Sequence, residues 1–338
     1  MRSLFYPEWD RLEVCEQPVP KIANDEVLLR VAACGICGSE LETFKNRNLR
    51  RTPPLIMGHE FCGTIVEVGS SARTFHAGQK VISHSVANCG VCRPCRRGNT
   101  HLCENREIFG MHRPGAFAEF INVPARCLIP WPEHLSASVA CLAEPLANGV
   151  HVANLVKARR PEMVCILGAG PIGLMCQQAV QVLLGSTTVV SDFIPERLQI
   201  SRKLGAHTTV NARQKNVIEV VREITTREGV DVVIDAVGAV TTKQQALEMV
   251  RPGGVVVWIG LHENNMTLDS YKVTLPEVTI HGSYAATISE LQTAVTLMAG
   301  QRVDVASWVQ TFPLAEGVEA FHKMLAAKGS DIKAVLTP

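Results

Sequence analysis

The chain has 338 residues, 46% hydrophobic and 19% charged, with 33 Lys and Arg against 32 Asp and Glu for a net charge of +1. At ~150 residues per domain the length points to about two domains, and this composition excludes disorder as the dominant state. An even charge balance leaves no broad basic surface, so nucleic acid is not expected as a partner.

The N-terminal stretch 1–10 carries Glu8 and Asp10 and lacks the apolar run of a signal peptide. Up to about residue 137 the chain reads as short β-type runs: Glu26–Ala33, Cys62–Gly69, Lys80–Ser83 and Phe117–Val123. Turn residues such as Thr52-Pro53-Pro54 and Arg113-Pro114-Gly115 separate them.

From about residue 160 strands and helices alternate. Val164–Leu167, Thr187–Val190, Val230–Ile234 and Val255–Ile259 read as strands. Ile172–Leu184, Pro195–Leu204 and a segment around Thr242–Val250 read as helices. Such βαβ repetition predicts a parallel sheet and an α/β fold. Beyond about residue 300 the elements are short and mixed, ending in the strand-like Ile332–Leu336. The longest apolar stretch, Met163–Leu184, is too broken by Gly, Pro and Gln for a membrane span, so a soluble, cytoplasmic protein without a membrane partner is expected. In that setting twelve cysteines point to metal binding or catalysis more than to disulfides.

The densest chemical signal is Cys89-x2-Cys92-x2-Cys95-x7-Cys103. Four thiolates so spaced can close a tetrahedron around one zinc ion, with Gly90, Pro94 and Gly98 allowing the tight turns. Arg93, Arg96 and Arg97 would offset part of the negative charge. An iron–sulfur run would have a last spacing of three followed by Pro, unlike this one. Such a zinc is structural, with no open coordination position.

A second set is dispersed: Cys37-Gly38-Ser39-Glu40, Gly58-His59-Glu60 and Ala143-Glu144-Pro145. Each piece alone also fits a packed or solvated residue. Cys, His and Glu are all competent zinc ligands, and a site of three or four of them mixed can leave a position open for an alcohol or carbonyl oxygen.

The third motif is Gly168-Ala169-Gly170-Pro171-Ile172-Gly173, preceded by an apolar strand and followed by an apolar helix. This G-x-G-x-x-G lets backbone N–H groups and a helix N-terminus face a pyrophosphate. Asp192, nineteen residues after Gly173, ends the next strand. A carboxylate there accepts from ribose hydroxyls and repels a 2′-phosphate, which favours NAD over NADP. Arg197, five residues further, is a second candidate for the adenosine side.

In this order, together with Gly115-Ala116-Phe117-Ala118-Glu119-Phe120 and Glu144-Pro145-Leu146, these motifs resemble the zinc-dependent medium-chain alcohol dehydrogenase family over nearly the whole chain. The resemblance implies a GroES-like β-rich catalytic domain (1–145, structural zinc lobe 86–108), a Rossmann NAD-binding domain (146–290) and a C-terminal segment (291–338) returning to the catalytic domain. It implies two zinc ions per chain and NAD. Cys37 and His59 become catalytic zinc ligands, Glu60 a ligand or its neighbour, and Ser39 the hydroxyl that moves the alcohol proton. Glu144, where alcohol-type relatives carry Cys, is similar to the sorbitol and sugar-alcohol branch. Glu40 stands where many relatives have Asp, and Leu41 and Glu42 leave no His to relay the proton.

The expected activity is NAD-dependent oxidation of a secondary alcohol: a polyol, sugar phosphate or sugar acid. An L-threonine-type dehydrogenase is the alternative within the same chemistry. A zinc-independent, non-catalytic nucleotide-binding relative of the quinone-reductase type is the alternative outside it. The basic run Lys45-Asn46-Arg47-Asn48-Leu49-Arg50-Arg51 and Arg113 are candidate rims for an anionic substrate. His151 follows Glu144 at helical spacing, with packing its simpler role. A homodimer or homotetramer is expected, with Val255–Ile259 and Val278–Ile280 able to extend the parallel sheet across a two-fold axis.

Overall fold

The computed structural model describes residues 1–326 and 328–338. The chain packs as two units: Met1–Ala147 with Ala285–Pro338, and Asn148–Tyr284.

The main sheet of the first unit has seven strands. Six run in the order Leu128–Pro130, Lys80–Ser83, Glu60–Val68, Glu26–Gly35, Lys333–Thr337 and Val309–Pro313, and Phe120–Pro124 also pairs with Glu26–Gly35. Leu29, Phe61, Phe109, Phe117 and Phe321 fill the core beneath it. The register positions the chemistry. Gly35 lies opposite Glu60 on one side and Val335 on the other, so the last strand of the chain runs beside the segment that leads to Cys37.

Three details differ from the sequence expectation. The hairpin Arg2–Glu8 with Arg11–Glu16, turning near Asp10 at φ 66°, is absent from it because charged residues mask the alternation. The expected strand Phe117–Val123 pairs regularly only from Phe120. Its first residues bond the N-terminal strand instead, through Leu4 N–H to the Phe117 carbonyl (2.8 Å) and Glu119 N–H to the Arg2 carbonyl (3.0 Å). The chain rejoins the first unit at Ala285, earlier than 291. There the Ala286 carbonyl meets His84 Nε2 at 2.6 Å, and Ala299, ending the helix Ile288–Ala299, accepts from His134 at 3.2 Å.

The second unit holds six parallel strands in the order Thr208–Asn211, Thr187–Asp192, Met163–Leu167, Val230–Asp235, Val250–Trp258 and Thr279–Gly282. This is the doubly wound order, and it bears out the α/β reading. The central strands read as unbroken apolar runs because both faces are covered. Two of them end in carboxylates, Asp192 as expected and Asp235 one residue past its expected end. Each carboxylate accepts backbone N–H groups of the turn that follows: Ile194 at 2.9 Å for Asp192, Val237 at 3.0 Å for Asp235. Met163–Leu184 is the first strand, the glycine turn and a helix. Only Ala137–Arg159, among the described residues, is a helical stretch long and apolar enough to cross a membrane, and 72% of that window is buried inside the protein, the mark of a core helix.

Candidate active site

Cys37 is the N-cap of the helix Gly38–Asn46, in extended conformation at φ −94°, ψ 147°. Its amide donates to Glu40 Oε2 at 2.9 Å, which ties off the first turn. The cap places the residue at the positive end of the helix dipole. Glu40 Oε1 accepts from the Gly58 amide (2.9 Å) and meets His59 Nδ1 (2.9 Å). A proton held on Nδ1 leaves the Nε2 lone pair for a metal, the usual arrangement of a ligating histidine.

Cys37, His59 and Glu60 offer sulfur, nitrogen and oxygen atoms all within 4.8 Å of one another. Glu144 lies outside that trio. Its carboxylate is buried, accepts from Ser85 Oγ at 2.5 Å, and senses the charges of His59 and Glu60. The sequence-predicted ligand set is therefore three convergent groups with a fourth beside them.

The electrostatics fit a cation. Burial works against a charged His59, yet Glu40 and the Cys37 sulfur outweigh it and raise its pKa well above the ordinary value. Burial pushes Glu40 the other way, but His59 and Arg51 hold its carboxyl below the usual range. Burial raises the Glu144 carboxyl, and Glu60 adds to that. A buried cluster of acidic side chains around one histidine is one a divalent metal would neutralise, and the mixed S/N/O donor set suits zinc.

The motifs give no such role to four further groups around the trio. Lys333, only 1% exposed, pairs with Glu60 and donates to the Ile36 carbonyl at 2.8 Å. Its signal in the sequence is a lone lysine inside the apolar run Ile332–Leu336. Ser85 holds Glu144. Glu40, in the sequence only a departure from the usual Asp, orients His59. Arg51 turns inward and donates to Ser39 Oγ at 3.1 Å, and Ser39 donates to Cys37 Sγ at 3.4 Å.

The inward turn of Arg51 takes that residue out of the expected anion rim, whereas Lys45 and Arg50 of the same run are exposed. Arg51 is 2% exposed and spends its donors on the protein. Arg113 pairs with Glu26 and Glu107, and Arg47 with Asp10. Backbone carbonyls and carboxylates in reach satisfy these guanidinium groups first. His151 is half-buried on the helix Ala143–Val156.

The four-cysteine lobe is equally convergent. The sulfurs of Cys89, Cys92, Cys95 and Cys103 all lie within 4.8 Å of one another. Gly90 and Gly98 take the left-handed turns (φ 76° and 84°), and Pro94 sits in the short helix Arg93–Arg96. The Cys89 amide donates to Cys103 Sγ at 3.2 Å and the Cys92 amide to Cys89 Sγ at 3.4 Å. Amides of Val91 and Cys92 lower Cys89 to about 6, whereas burial raises Cys95 to about 12. A zinc ion bound by all four would keep every sulfur ionised.

In the second unit the glycine turn forms a cradle. Gly168 has φ 95°, and Gly170 caps the helix Pro171–Leu184 with Pro171 in its first turn. A Cβ on Gly173 would overlap the Gly168 carbonyl oxygen, so helix and strand meet there only without a side chain. At Gly170 the nearest group to such a Cβ is Arg197 Nη1, 3.9 Å away, which leaves backbone amides open and a cation alongside. Asp192 Oδ2 accepts from the Ala169 amide at 2.8 Å, so the carboxylate braces the turn. The cradle fits a dinucleotide pyrophosphate.

Residues 23–133 match the alcohol dehydrogenase GroES-like domain, and residues 171–300 match the zinc-binding dehydrogenase domain. The chain is 32% identical to D-arabitol-phosphate dehydrogenase of Enterococcus avium, over 98% of this chain and 95% of that protein. It is 34% identical to L-threonine 3-dehydrogenase of Chelativorans sp. (strain BNC1), over 81% of this chain and 80% of that one. The crystal structure of galactitol-1-phosphate dehydrogenase from Escherichia coli superposes with a TM-score of 0.91 at 26% identity, covering 100% of both chains.

Proposed function

This chain belongs to the zinc-binding alcohol dehydrogenase family, and from that premise we propose that it oxidises a secondary alcohol of a polyol or polyol phosphate with NAD. It is an oxidoreductase acting on CH–OH donors. The observation that carries the reading is the trio Cys37, His59 and Glu60, with Glu144 at its side and Ser39 hydrogen-bonded to Cys37. A zinc-independent nucleotide binder has no use for such a centre.

Cys37, His59 and Glu60 would hold a zinc ion, which polarises an alcohol oxygen as a Lewis acid, while NAD takes up the hydride. Glu40 keeps the proton on His59 Nδ1 and so keeps the ring in ligating orientation. Lys333 neutralises Glu60 inside the protein. Ser39 Oγ, within reach of Cys37, would accept the alcohol proton as its own hydroxyl proton is released to solvent. Ser85 fixes the Glu144 carboxylate beside the trio. Gly170, Pro171, Ile172 and Gly173 seat the pyrophosphate, Asp192 selects the ribose of NAD over a 2′-phosphate, and Arg197 lies against the same turn. Cys89, Cys92, Cys95 and Cys103 would hold the second, structural zinc.

A polyol-phosphate substrate is supported by enzymes named for D-arabitol phosphate and galactitol 1-phosphate, which match nearly end to end. The phosphate must then be bound by groups other than Arg51 and Arg113, which are engaged within the protein. The threonine-type reading is supported by several relatives named L-threonine 3-dehydrogenase, five of them over 81% of this chain and one, at 30% identity, over 95% of both chains. Initial rates with arabitol phosphate, galactitol 1-phosphate, their free polyols and L-threonine separate the two. A homo-oligomer formed at the edge strand Thr279–Gly282 is supported by exposed Tyr271 and Leu275 in the preceding segment. A reducing, cytoplasmic setting suits twelve cysteines outside any disulfide, eight of them buried.

A further inference from the structure

Arg51 is buried, and its hydrogen bonds all go to neutral acceptors. Nε donates to the Gly110 carbonyl (3.0 Å), Nη1 to the Ser39 carbonyl (3.1 Å) and Thr43 Oγ1 (3.5 Å), and Nη2 to Ser39 Oγ (3.1 Å). Two of the four go to one residue, its carbonyl and its hydroxyl together. Desolvating a guanidinium without a carboxylate in contact is costly, although the Glu40 charge is near enough to be stabilised by it. A loop staple alone could be made by an uncharged side chain.

A serine hydroxyl carries one proton and two lone pairs, and left alone it rotates. Here the Arg51 N–H occupies one lone pair of Ser39 Oγ from one side, and Cys37 Sγ stands 3.4 Å away on the donor side. The O–H is thereby directed at Cys37 Sγ, a member of the ligand trio. Arginine stays protonated at every working pH, so it cannot itself carry the proton onward. It can only fix the direction of the hydroxyl.

We propose that Arg51 is a positioning residue for Ser39: the buried guanidinium holds the serine hydroxyl toward the Cys37–His59–Glu60 cluster, where the alcohol oxygen must arrive. The inference rests on the dehydrogenase reading above. It accounts for how Ser39 is oriented in a chain with Leu41 and Glu42 where a relay histidine is otherwise expected. It also gives the buried charge a purpose that a packing role does not.

The test is a double-mutant cycle on kcat with Arg51→Met, Ser39→Ala and the double variant, each checked for zinc content and melting temperature. Arg51→Lys, which keeps the charge and loses the fork, is a further variant. The expected result is that Arg51→Met lowers kcat by about tenfold or more with KM nearly unchanged, as for a lost directed hydrogen bond. Added to Ser39→Ala it then has no further effect. Arg51→Lys falls between wild type and Arg51→Met. A crystal structure of Arg51→Met should show the Ser39 side chain in another or a mixed rotamer. Equal kcat losses from Arg51→Met in the wild-type and Ser39→Ala backgrounds, or an unchanged Ser39 rotamer, would overturn the proposal while leaving the dehydrogenase reading intact. A zinc-loaded wild type that reduces NAD with none of the alcohols overturns both.

Discussion

Lys333 and Glu60, 273 positions apart in the chain, form an ion pair in which both side chains are 1% exposed. Gly35 makes the pair possible: a Cβ there would collide with Glu60 Oε2 and press on Lys333 Cε at 3.1 Å. The three positions belong to three adjacent strands of one sheet, so the last strand of the chain completes a site that begins at residue 37.

Removing one member of this pair strands a buried charge. Lys333→Met should destabilise the protein by about 3–5 kcal/mol, read as a drop in melting temperature. Gly35→Ala should lower both melting temperature and zinc content, since the added methyl displaces the Glu60 carboxylate. Wild-type stability in Lys333→Met would show that the pair is dispensable.

Zinc should be present at about two per chain, one for each convergent cluster. Cys95→Ser should cost one equivalent together with stability, because that lobe is organised by its four sulfurs. Cys37→Ser should cost the other equivalent with only a small change in melting temperature. Metal analysis beside thermal denaturation distinguishes the two.

The glycine turn gives a contrast between neighbours. Gly170→Ala meets no atom closer than Arg197 at 3.9 Å, so the variant should fold normally yet bind NADH at least about tenfold more weakly, its methyl standing where the pyrophosphate approaches. Gly173→Ala overlaps the Gly168 carbonyl and should lose stability as well. Fluorescence titration with NADH and melting curves for both variants check this.

Acid stability should depend on Glu26. Burial raises its carboxyl, but Arg113, Asn122 and the Ala23 amide outweigh that and hold the pKa below the ordinary 4.5. A depressed folded-state pKa stabilises above the unfolded value, and the contribution disappears as pH falls through the folded value. Between pH 5 and about 3 the wild type should therefore lose stability more steeply than Glu26→Gln. Parallel slopes in melting temperature against pH would remove Glu26 as a cause.

What is legible in the sequence follows from how local each signal is. The parallel sheet is readable because its strands are short apolar runs with punctuated ends, and the zinc lobe and glycine turn because their ligands lie within one short loop. Cys37, His59 and Glu60 need a family resemblance to be joined, since their convergence is a matter of strand register. Lys333 and Arg51 escape for the same reason. Nothing near residue 333 marks it as the partner of Glu60, and a basic run reads as surface until the carbonyls that bind Arg51 are in place. The N-terminal hairpin is hidden because ion pairs such as Arg11 with Glu8 and Glu13 break the usual apolar alternation.

The central claim is a zinc-dependent oxidation of an alcohol by NAD at the Cys37 cluster. Its most direct test is the initial rate of NADH formation with arabitol phosphate, galactitol 1-phosphate, the free polyols and L-threonine, before zinc removal, after it, and after zinc is returned. The account predicts activity on a polyol or its phosphate that falls with the metal, returns with it, and is absent from Cys37→Ser. NADH formation that persists in zinc-free protein or in Cys37→Ser, or none from any of these alcohols with two zinc ions bound, would contradict it.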